Sequence, residues 1–400
     1  RDPLPQHGVE LPEEYSDGIS ALRGFANSTL RAAIKFSAGF NRRLYAYIEK
    51  LPDFFPDEKG HLKKRVLLKV SDYRSSLTQG KYLAKKGIWV TEHRIESGLN
   101  CGGHAFATEG YLFGPILEEF KANRQYMREF LFEMCQQALK DKGRTLFPAE
   151  PTMRITVQGG IGTYKEDQFL MQYYGMDGTG WATPFLLVPE VTNVDEGTRR
   201  QLANATQDDL FLSDYSPLGV PFNTFRNSKS DEQKWERVAE GKPGSPCPKG
   251  HLVSNTDYTE KPICLASSAY QTLRIKELKS QNLGPEEYAE AFRRVIIKSC
   301  LCEDLAAPVI IDKKMEFKRP LKSTVCPRPN LAYFTRICSL AEMIGHIYGR
   351  VNMLNDTYRP NMFINELKLY VDYLAREVGK CGVTLTARQV NRFVEYRKTL

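Results

Sequence analysis

The sequence lacks any long hydrophobic run: no apolar stretch reaches the roughly eighteen residues that a membrane-spanning helix needs. It also lacks the apolar core of a secretion signal near its start, a block of like charges and any internal repeat. A basic tract is typical of nucleic-acid binding, so its absence argues against such a partner. Together these absences predict a cytoplasmic protein that neither spans a membrane nor binds nucleic acid.

What the chain does have is enough apolar material to bury a full core. Its 400 residues are 42% hydrophobic, which is typical of one large or two medium domains. The formal net charge of +8 is spread over residues of both signs and indicates only a weak preference for anions.

Strand-like and helix-like patterns alternate between residues 64 and 190. The pattern predicts strands over 65–70, 87–91, 154–157 and 179–188, and helices ending near 85 and over 114–142 and 166–174. Such alternation is typical of parallel βαβ units, whose ligand sites lie at the carboxyl ends of the strands. The predicted fold class is therefore α/β.

The flanking segments have a different character. Residues 17–50 show apolar positions at helical spacing and no convincing strand, whereas Pro, Asn, Asp, Ser and Gly dominate 189–260. Helical spacing returns over 270–281, 285–297, 331–348, 363–379 and 387–396. The predicted regions are a helical lead-in over 1–60, a sheet domain over 61–195, a loop-rich wrap over 196–265 and a mainly helical, cysteine-containing region over 266–400.

Glycine-rich turns follow two of the predicted strands. Leu99-Asn-Cys-Gly-Gly-His104 comes after the strand 87–91, and Gly159-Gly-Ile-Gly162 comes after 154–157, with Gly178-Thr-Gly-Trp-Ala-Thr-Pro-Phe185 farther on. Paired glycines let backbone N–H groups close on a phosphate with no Cβ in the way, and a nearby helix start adds its positive end. The turns therefore predict a flavin or another phosphate-bearing cofactor.

Cysteine is frequent, and six of the nine cysteines fall between 247 and 338. Reduced, buried thiols are one interpretation. The other is a zinc or iron–sulfur site built from Cys247, His251, Cys264, Cys300 and Cys302, since thiolates and imidazole suit these metals. Only Cys300 and Cys302 are closely spaced, with one intervening residue instead of the usual two.

Three motifs in order resemble the nitronate monooxygenase family, whose layout is shared with the FMN-dependent enoyl reductases. They are Glu96-Ser-Gly-Leu-Asn-Cys-Gly-Gly-His104, Thr156-Val-Gln-Gly-Gly-Ile161 and Gly175-Met-Asp-Gly-Thr-Gly-Trp-Ala-Thr-Pro-Phe-Leu186. The resemblance covers 64–190, about a third of the chain.

The resemblance implies an FMN-binding (β/α)8 TIM barrel of which only the carboxyl-terminal half is evident. It implies that His104 lies over the flavin as the acid or base, and that Gly102 and Gly103 let the backbone pass close to the ring. The residues implied to hold the FMN phosphate are Gly159, Gly160, Trp181, Ala182 and Thr183.

The sequence departs from the family in two places. It has no counterpart of the first half-barrel, so we expect either a preceding segment of a longer polypeptide or a partner chain to supply the other strands. The family's Gly-Thr-Arg-Phe is here Ala182-Thr-Pro-Phe185, which removes one amide donor beside the phosphate.

Several candidate site residues also have a structural interpretation. His104 could be a hydrogen-bonded structural histidine, and His93 could instead point into the barrel and act as the base. Glu92 and Glu96 could be solvated loop acids, and Cys101 is expected to pack rather than act as a nucleophile because no basic residue adjoins it in sequence.

Two classes of function remain open from the sequence. The first is an FMN-dependent oxidoreductase that acts on a small molecule, either a nitronate-like carbanion or an enoyl thioester, with His104 as acid or base. The second is a non-catalytic phosphate- or metal-binding scaffold whose cysteine-rich tail is the functional part.

Overall fold

The computed structural model describes residues 11–106, 110–247, 249–334, 336–381 and 385–400. Its centre is a five-stranded sheet in which all neighbouring strands are parallel and the strand order follows the chain, β1-β2-β3-β4-β5. This is the order in which the strands of a (β/α) barrel follow one another, so the structure has an α/β, partial-barrel architecture. The strands are β1 (Ala32–Phe36), β2 (Lys64–Val70), β3 (Val90–Glu96), β4 (Arg154–Gln158) and β5 (Thr179–Gly180).

Strand β1 corrects the prediction that the amino-terminal segment contains no strand. It pairs in parallel with β2, and Ile34 lies opposite Val66. Within β1, Lys35 is exposed while Phe36 is buried in the core. A strand of five residues has too few alternations to stand out from the helical spacing around it.

Helices pack on one face of this sheet. They are α1 (Asp17–Ala26), α2 (Arg42–Ile48), α3 (Tyr73–Ala84), α4 (Phe113–Asp141) and α5 (Tyr164–Gln172). Val66 and Leu68 of β2 are fully buried in the core between sheet and helices. Gly80 allows α3 and α4 to approach closely, because a Cβ at this position would lie 2.8 Å from Leu131.

The other face of the sheet is polar. Glu92 and Arg94 of β3 pair at 2.5 Å, and Glu96 pairs with Lys69 of β2 at 2.8 Å. These residues alternate along each strand with the buried ones, as the two faces of a strand require. The sheet therefore places its charged side chains on the face opposite the helices.

Two predicted strands have different bounds in the structure. Gly87 has a φ of 77° and ends the turn after α3, so β3 begins only at Val90 and extends to Glu96. The predicted strand over 179–188 stops after Gly180, and a 3-10 helix over Thr183–Leu187 follows. Pro184 in the first turn of that helix has no N–H to donate to a strand neighbour.

The predicted loop-rich wrap contains more secondary structure than expected. It holds helices α6 (Glu196–Ala203) and α7 (Lys229–Ala239) and the antiparallel pair β6 (Leu210–Ser213) and β7 (Phe222–Phe225). The abundance of turn-forming residues concealed these short elements, which are only four to eleven residues long.

The carboxyl-terminal region is mainly helical in its described residues, as predicted. Its helices are α8 (Ser268–Ser280), α9 (Pro285–Ile296), α10 (Ala307–Asp312), α11 (Leu340–Ile347), α12 (Met362–Lys380) and α13 (Ala387–Thr399). The helix predicted over 331–348 is instead a 3-10 helix over Pro329–Tyr333 followed by α11. Leu331 and Met343 pack with Leu187 in a second buried cluster, which joins this region to the segment after β5.

In the part of the chain that the structure describes, no helix combines the length and the apolarity that crossing a bilayer would require.

Candidate active site

The diglycine turn after β4 has a backbone that only glycine adopts easily. Gly159 and Gly160 have φ values of 114° and 78°. A Cβ on Gly159 would lie 3.1 Å from the Cβ of Ser97, and one on Gly160 would lie 3.2 Å from the side-chain amide of Asn100. Glycine is therefore required here both by the backbone angles and by the close approach of the turn after β3.

That neighbouring turn contains the second glycine pair. A Cβ on Gly102 would lie 3.1 Å from the carbonyl oxygen of Cys326. Gly103 has a φ of 80°, and its carbonyl accepts hydrogen bonds from the backbone N–H and side-chain Nδ2 of Asn223, at 3.0 and 2.8 Å. Strand β7 thus fixes the turn that leads to His104.

A small cleft of about 60 Å³ lies between the two turns. Of the residues predicted to contact the cofactor, the lining includes Gly102, Gly159, Gly160, Trp181, Ala182 and Thr183. Gly103 is not part of this lining. The structure thus brings together three segments that the sequence had linked only by resemblance.

His104 lies on an adjoining, larger cleft of about 430 Å³, which also contains Lys69 and Ser71. Both clefts are lined by Glu96, Cys101 and Gly102. The small cleft has room for little more than the head of a ligand, whereas the larger one is within the size range of small-molecule sites. Both clefts lie at the carboxyl edge of the sheet, where α/β proteins bind their ligands.

The imidazole of His104 is held by two contacts. Its Nε2 lies 2.7 Å from Oγ of Ser216, and its ring packs edge-on against Phe222 with centroids 5.1 Å apart. Burial lowers the pKa of His104 below its ordinary 6.5. The ring is therefore neutral at pH 7 and able to accept a proton.

The alternative that His93 points into the barrel and acts as the base is wrong. His93 is fully buried on the helix-covered face of the sheet, where its Nδ1 lies 2.7 Å from Oγ of Ser76 in α3. Burial lowers its pKa to about 4, and it lines neither cleft.

The interpretation of Glu92 and Glu96 as loop acids is also wrong, because both lie in β3 and form ion pairs. Burial alone would raise the pKa of Glu96, but hydrogen bonds from Cys101, Lys69 and Gln158 outweigh it and leave the pKa below its usual value. Burial and the nearby Glu96 raise the pKa of the Cys101 thiol. Cys101 is therefore a protonated packing residue, not an activated nucleophile.

Sequence reasoning missed Arg328, which lines the small cleft and is only 3% exposed. Burial lowers the pKa of its guanidinium to about 10, so it remains a cation at pH 7. It lies just before the 3-10 helix Pro329–Tyr333, far along the chain from both glycine turns. Its sequence context, Cys-Pro-Arg-Pro, carries no signal that would have placed it at the site.

Sequence reasoning also missed the residues that hold the diglycine turn from behind. Arg359 donates to the carbonyl of Gly160 at 2.7 Å and pairs with Glu166 of α5 at 2.7 Å. Asn330 donates to the carbonyl of Ile161 at 3.0 Å. The carboxyl-terminal region therefore positions a turn that the sheet domain provides.

The predicted metal site is not assembled. Over the described ranges, no three His, Cys, Asp or Glu side chains come close enough together to hold a metal ion. Burial and the neighbouring thiols of Cys247 and Cys302 raise the pKa of Cys264 to about 11. Burial and the nearby Asp304 raise the pKa of Cys300 to about 12. Cys247 is exposed, Cys302 is half-buried, and neither they nor His251 line the two clefts.

Comparison with known proteins leaves the family open. No protein-family description matches the sequence, and no curated protein matches it significantly. Among solved structures, the enoyl reductase domain of MlnA from the macrolactin biosynthesis cluster of Bacillus amyloliquefaciens superposes with a TM-score of 0.44 and 13% identity, over 92% of this chain and 81% of that domain. Similarity at this level assigns neither a fold nor a function.

Proposed function

We propose that this chain binds FMN at the carboxyl edge of the sheet and acts as an FMN-dependent oxidoreductase with His104 as its acid or base. The observation that carries the proposal is the adjacency of the two clefts, one lined by the diglycine turn and the other by His104, with Glu96, Cys101 and Gly102 common to both.

The residues of the small cleft fit the phosphate end of FMN. Gly159 and Gly160 line the cleft without a Cβ, which would be crowded against Ser97 and Asn100. The buried guanidinium of Arg328 supplies positive charge. Backbone N–H groups freed by such a turn are suited to bind an anion. Pro184 in the cleft lining has no N–H, so the segment over 181–184 offers one donor fewer than the family pattern.

The larger cleft fits the reacting part of the site. It contains the neutral His104 and has room for a ring and a small substrate. When bound, FMN supplies a two-electron donor or acceptor. His104 would take a proton from the carbon next to the nitro group of a nitroalkane, which gives the nitronate, or would give a proton to the carbon beside a thioester carbonyl, as in enoyl reduction.

The predicted partner remains a proposal as well. In the described sheet β1 and β5 each have one strand neighbour, so further parallel strands could pair at either edge. A preceding segment or a partner chain would supply them, and would cover part of the polar face that carries Lys35.

An anaerobic reduction experiment tests the enzymatic proposal. Addition of NAD(P)H or of a nitroalkane to the yellow, flavin-loaded protein should bleach the flavin absorbance, and His104→Gln should slow bleaching by the nitroalkane while leaving the flavin bound. Flavin-loaded protein that neither reagent bleaches would favour the scaffold instead.

A further inference from the structure

The buried guanidinium of Arg328 is only partly used by the protein. Its Nη1 donates to Oδ1 of Asn223 at 2.5 Å. Its Nε and Nη2 are buried and form no hydrogen bond with any described residue. Arg328 is 3% exposed, and two of its three guanidinium nitrogens have no hydrogen-bond partner among the described residues.

Burial lowers the pKa of Arg328, and the nearby Cys101, Cys326 and Glu96 offset this only in part, so the charge is not fully balanced. Glu96 is already bound to Lys69 at 2.8 Å and accepts a hydrogen bond from Gln158 at 2.8 Å. Among the described residues, no carboxylate accepts a hydrogen bond from Nε or Nη2 of Arg328. A buried cation without a paired anion is costly, and its cost falls when a ligand brings the negative charge.

The two nitrogens of Arg328 without a partner have a defined arrangement. Nε and Nη2 lie on one edge of the planar guanidinium, and this edge can donate two parallel hydrogen bonds to two oxygens of one phosphate. Arg328 lines the same small cleft as Gly159 and Gly160. Arg328 also lines a cleft of about 300 Å³ that contains neither of these glycines. In the small cleft, the side chain of Arg328 and the diglycine turn border the same space, so one anion bound there would adjoin both.

We propose that Arg328 binds the phosphate of a phosphate monoester in the small cleft, through Nε and Nη2. This inference rests on the proposed function, because it assigns the charged partner of the FMN phosphate. It makes the carboxyl-terminal region part of the cofactor site, and it explains how the site compensates for the amide donor lost at Pro184.

A comparison of FMN with riboflavin isolates the phosphate. The dissociation constants of both are measured by flavin fluorescence on the full chain, for the wild type, Arg328→Met and Arg199→Met. Arg199 is a matched control, since it is 7% exposed, has an unpartnered Nε, and lines neither cleft.

The wild type should bind FMN more tightly than riboflavin. Arg328→Met should reduce that preference by about 10-fold or more, the loss expected for charge-assisted hydrogen bonds, and should leave riboflavin affinity nearly unchanged. Arg199→Met should keep the full preference. If Arg328→Met does not fold, as judged by circular dichroism, Arg328→Gln is scored by the same ratio.

The outcomes separate the two proposals. An unchanged FMN-to-riboflavin ratio in the Arg328 variant overturns the role of Arg328 and leaves flavin binding standing. An equal loss of both ligands shows a structural role and also overturns it. A wild-type protein that binds neither flavin overturns the proposed function, and the assignment of Arg328 with it.

Discussion

Arg359 donates from Nη2 to the carbonyl oxygen of Gly160 at 2.7 Å, across 199 residues of sequence. The same guanidinium pairs with Glu166, and both side chains are at least 93% buried. Glu166 in turn accepts a hydrogen bond from the N–H of Gly162 at 2.9 Å. The diglycine turn is thus fixed by a buried ion pair between α5 and the segment before α12.

Removing Arg359 should destabilise the fold and loosen the turn. Arg359→Met leaves Glu166 as an uncompensated buried charge, so we expect the free energy of unfolding to fall by about 3–5 kcal/mol in urea titrations. The exposed pair of Arg200 and Glu196 is the control, and Arg200→Met should cost less than about 1 kcal/mol. Equal effects of the two variants would contradict the role given to the buried pair.

Gly160→Ala should lower both the stability of the fold and the affinity for FMN. The new Cβ would carry the strain of a φ of 78° and would lie 3.2 Å from Asn100. Gly175→Ala is the control, because Gly175 has a φ of 65° and an open neighbourhood. Both variants should lose about 1–2 kcal/mol of stability, and only Gly160→Ala should also lower FMN affinity. If the two variants bind FMN with similar affinity, the diglycine turn does not hold the FMN phosphate.

The acid–base role of His104 predicts a pH profile. Because burial lowers its pKa below 6.5, the neutral base is present at pH 7 and is lost only in more acidic solution. The rate of flavin reduction by a nitroalkane should therefore be flat near pH 7 and fall on acidification below the ordinary histidine value. His104→Gln should remove this fall in rate on acidification and should slow flavin reduction by about 10²- to 10⁴-fold.

Ser216→Ala is the companion variant. It removes the hydroxyl 2.7 Å from Nε2 and keeps the imidazole, so its loss of rate should be smaller than that of His104→Gln. A profile that His104→Gln leaves unchanged would assign the titrating base elsewhere.

His93 should make the fold sensitive to acid. Its folded pKa of about 4 is below the 6.5 of the unfolded chain, so the unfolded state binds the proton more readily. The neutral His93 therefore contributes about 3 kcal/mol to the free energy of unfolding above about pH 6.5, and this contribution is lost as the pH falls towards 4. Urea titrations at several pH values should show this slope, and His93→Leu should flatten it. An identical slope in the variant would place the acid sensitivity in other groups.

How much of the site the sequence predicts depends on how local each signal is. Gly159, Gly160 and His104 are recognisable because glycine turns directly after strands are short-range patterns. Arg328 and Arg359 reach the site only through folding of the carboxyl-terminal region, and no spacing rule links them to the turns. An isolated arginine in a polar segment is usually solvated, so burial alone distinguishes these two.

In the fold, too, local patterns could be predicted from the sequence and features that depend on tertiary contacts could not. The long helix α4 and the strand β4 follow from periodicity, and the structure confirms them. The edge strand β1 and the short pair β6 and β7 escaped notice, because tertiary pairing decides such short segments. The metal site is not formed for a related reason: cysteine content suggested it, yet no three ligands among the described residues lie close enough together to hold a metal ion.

The most direct test is the visible absorption spectrum of the purified full-length protein, followed by identification of any released chromophore. The account predicts a flavin spectrum and release of about one equivalent of FMN per chain on denaturation. A colourless protein that takes up no FMN on reconstitution would contradict the central claim, that the glycine turns and His104 form a flavin site.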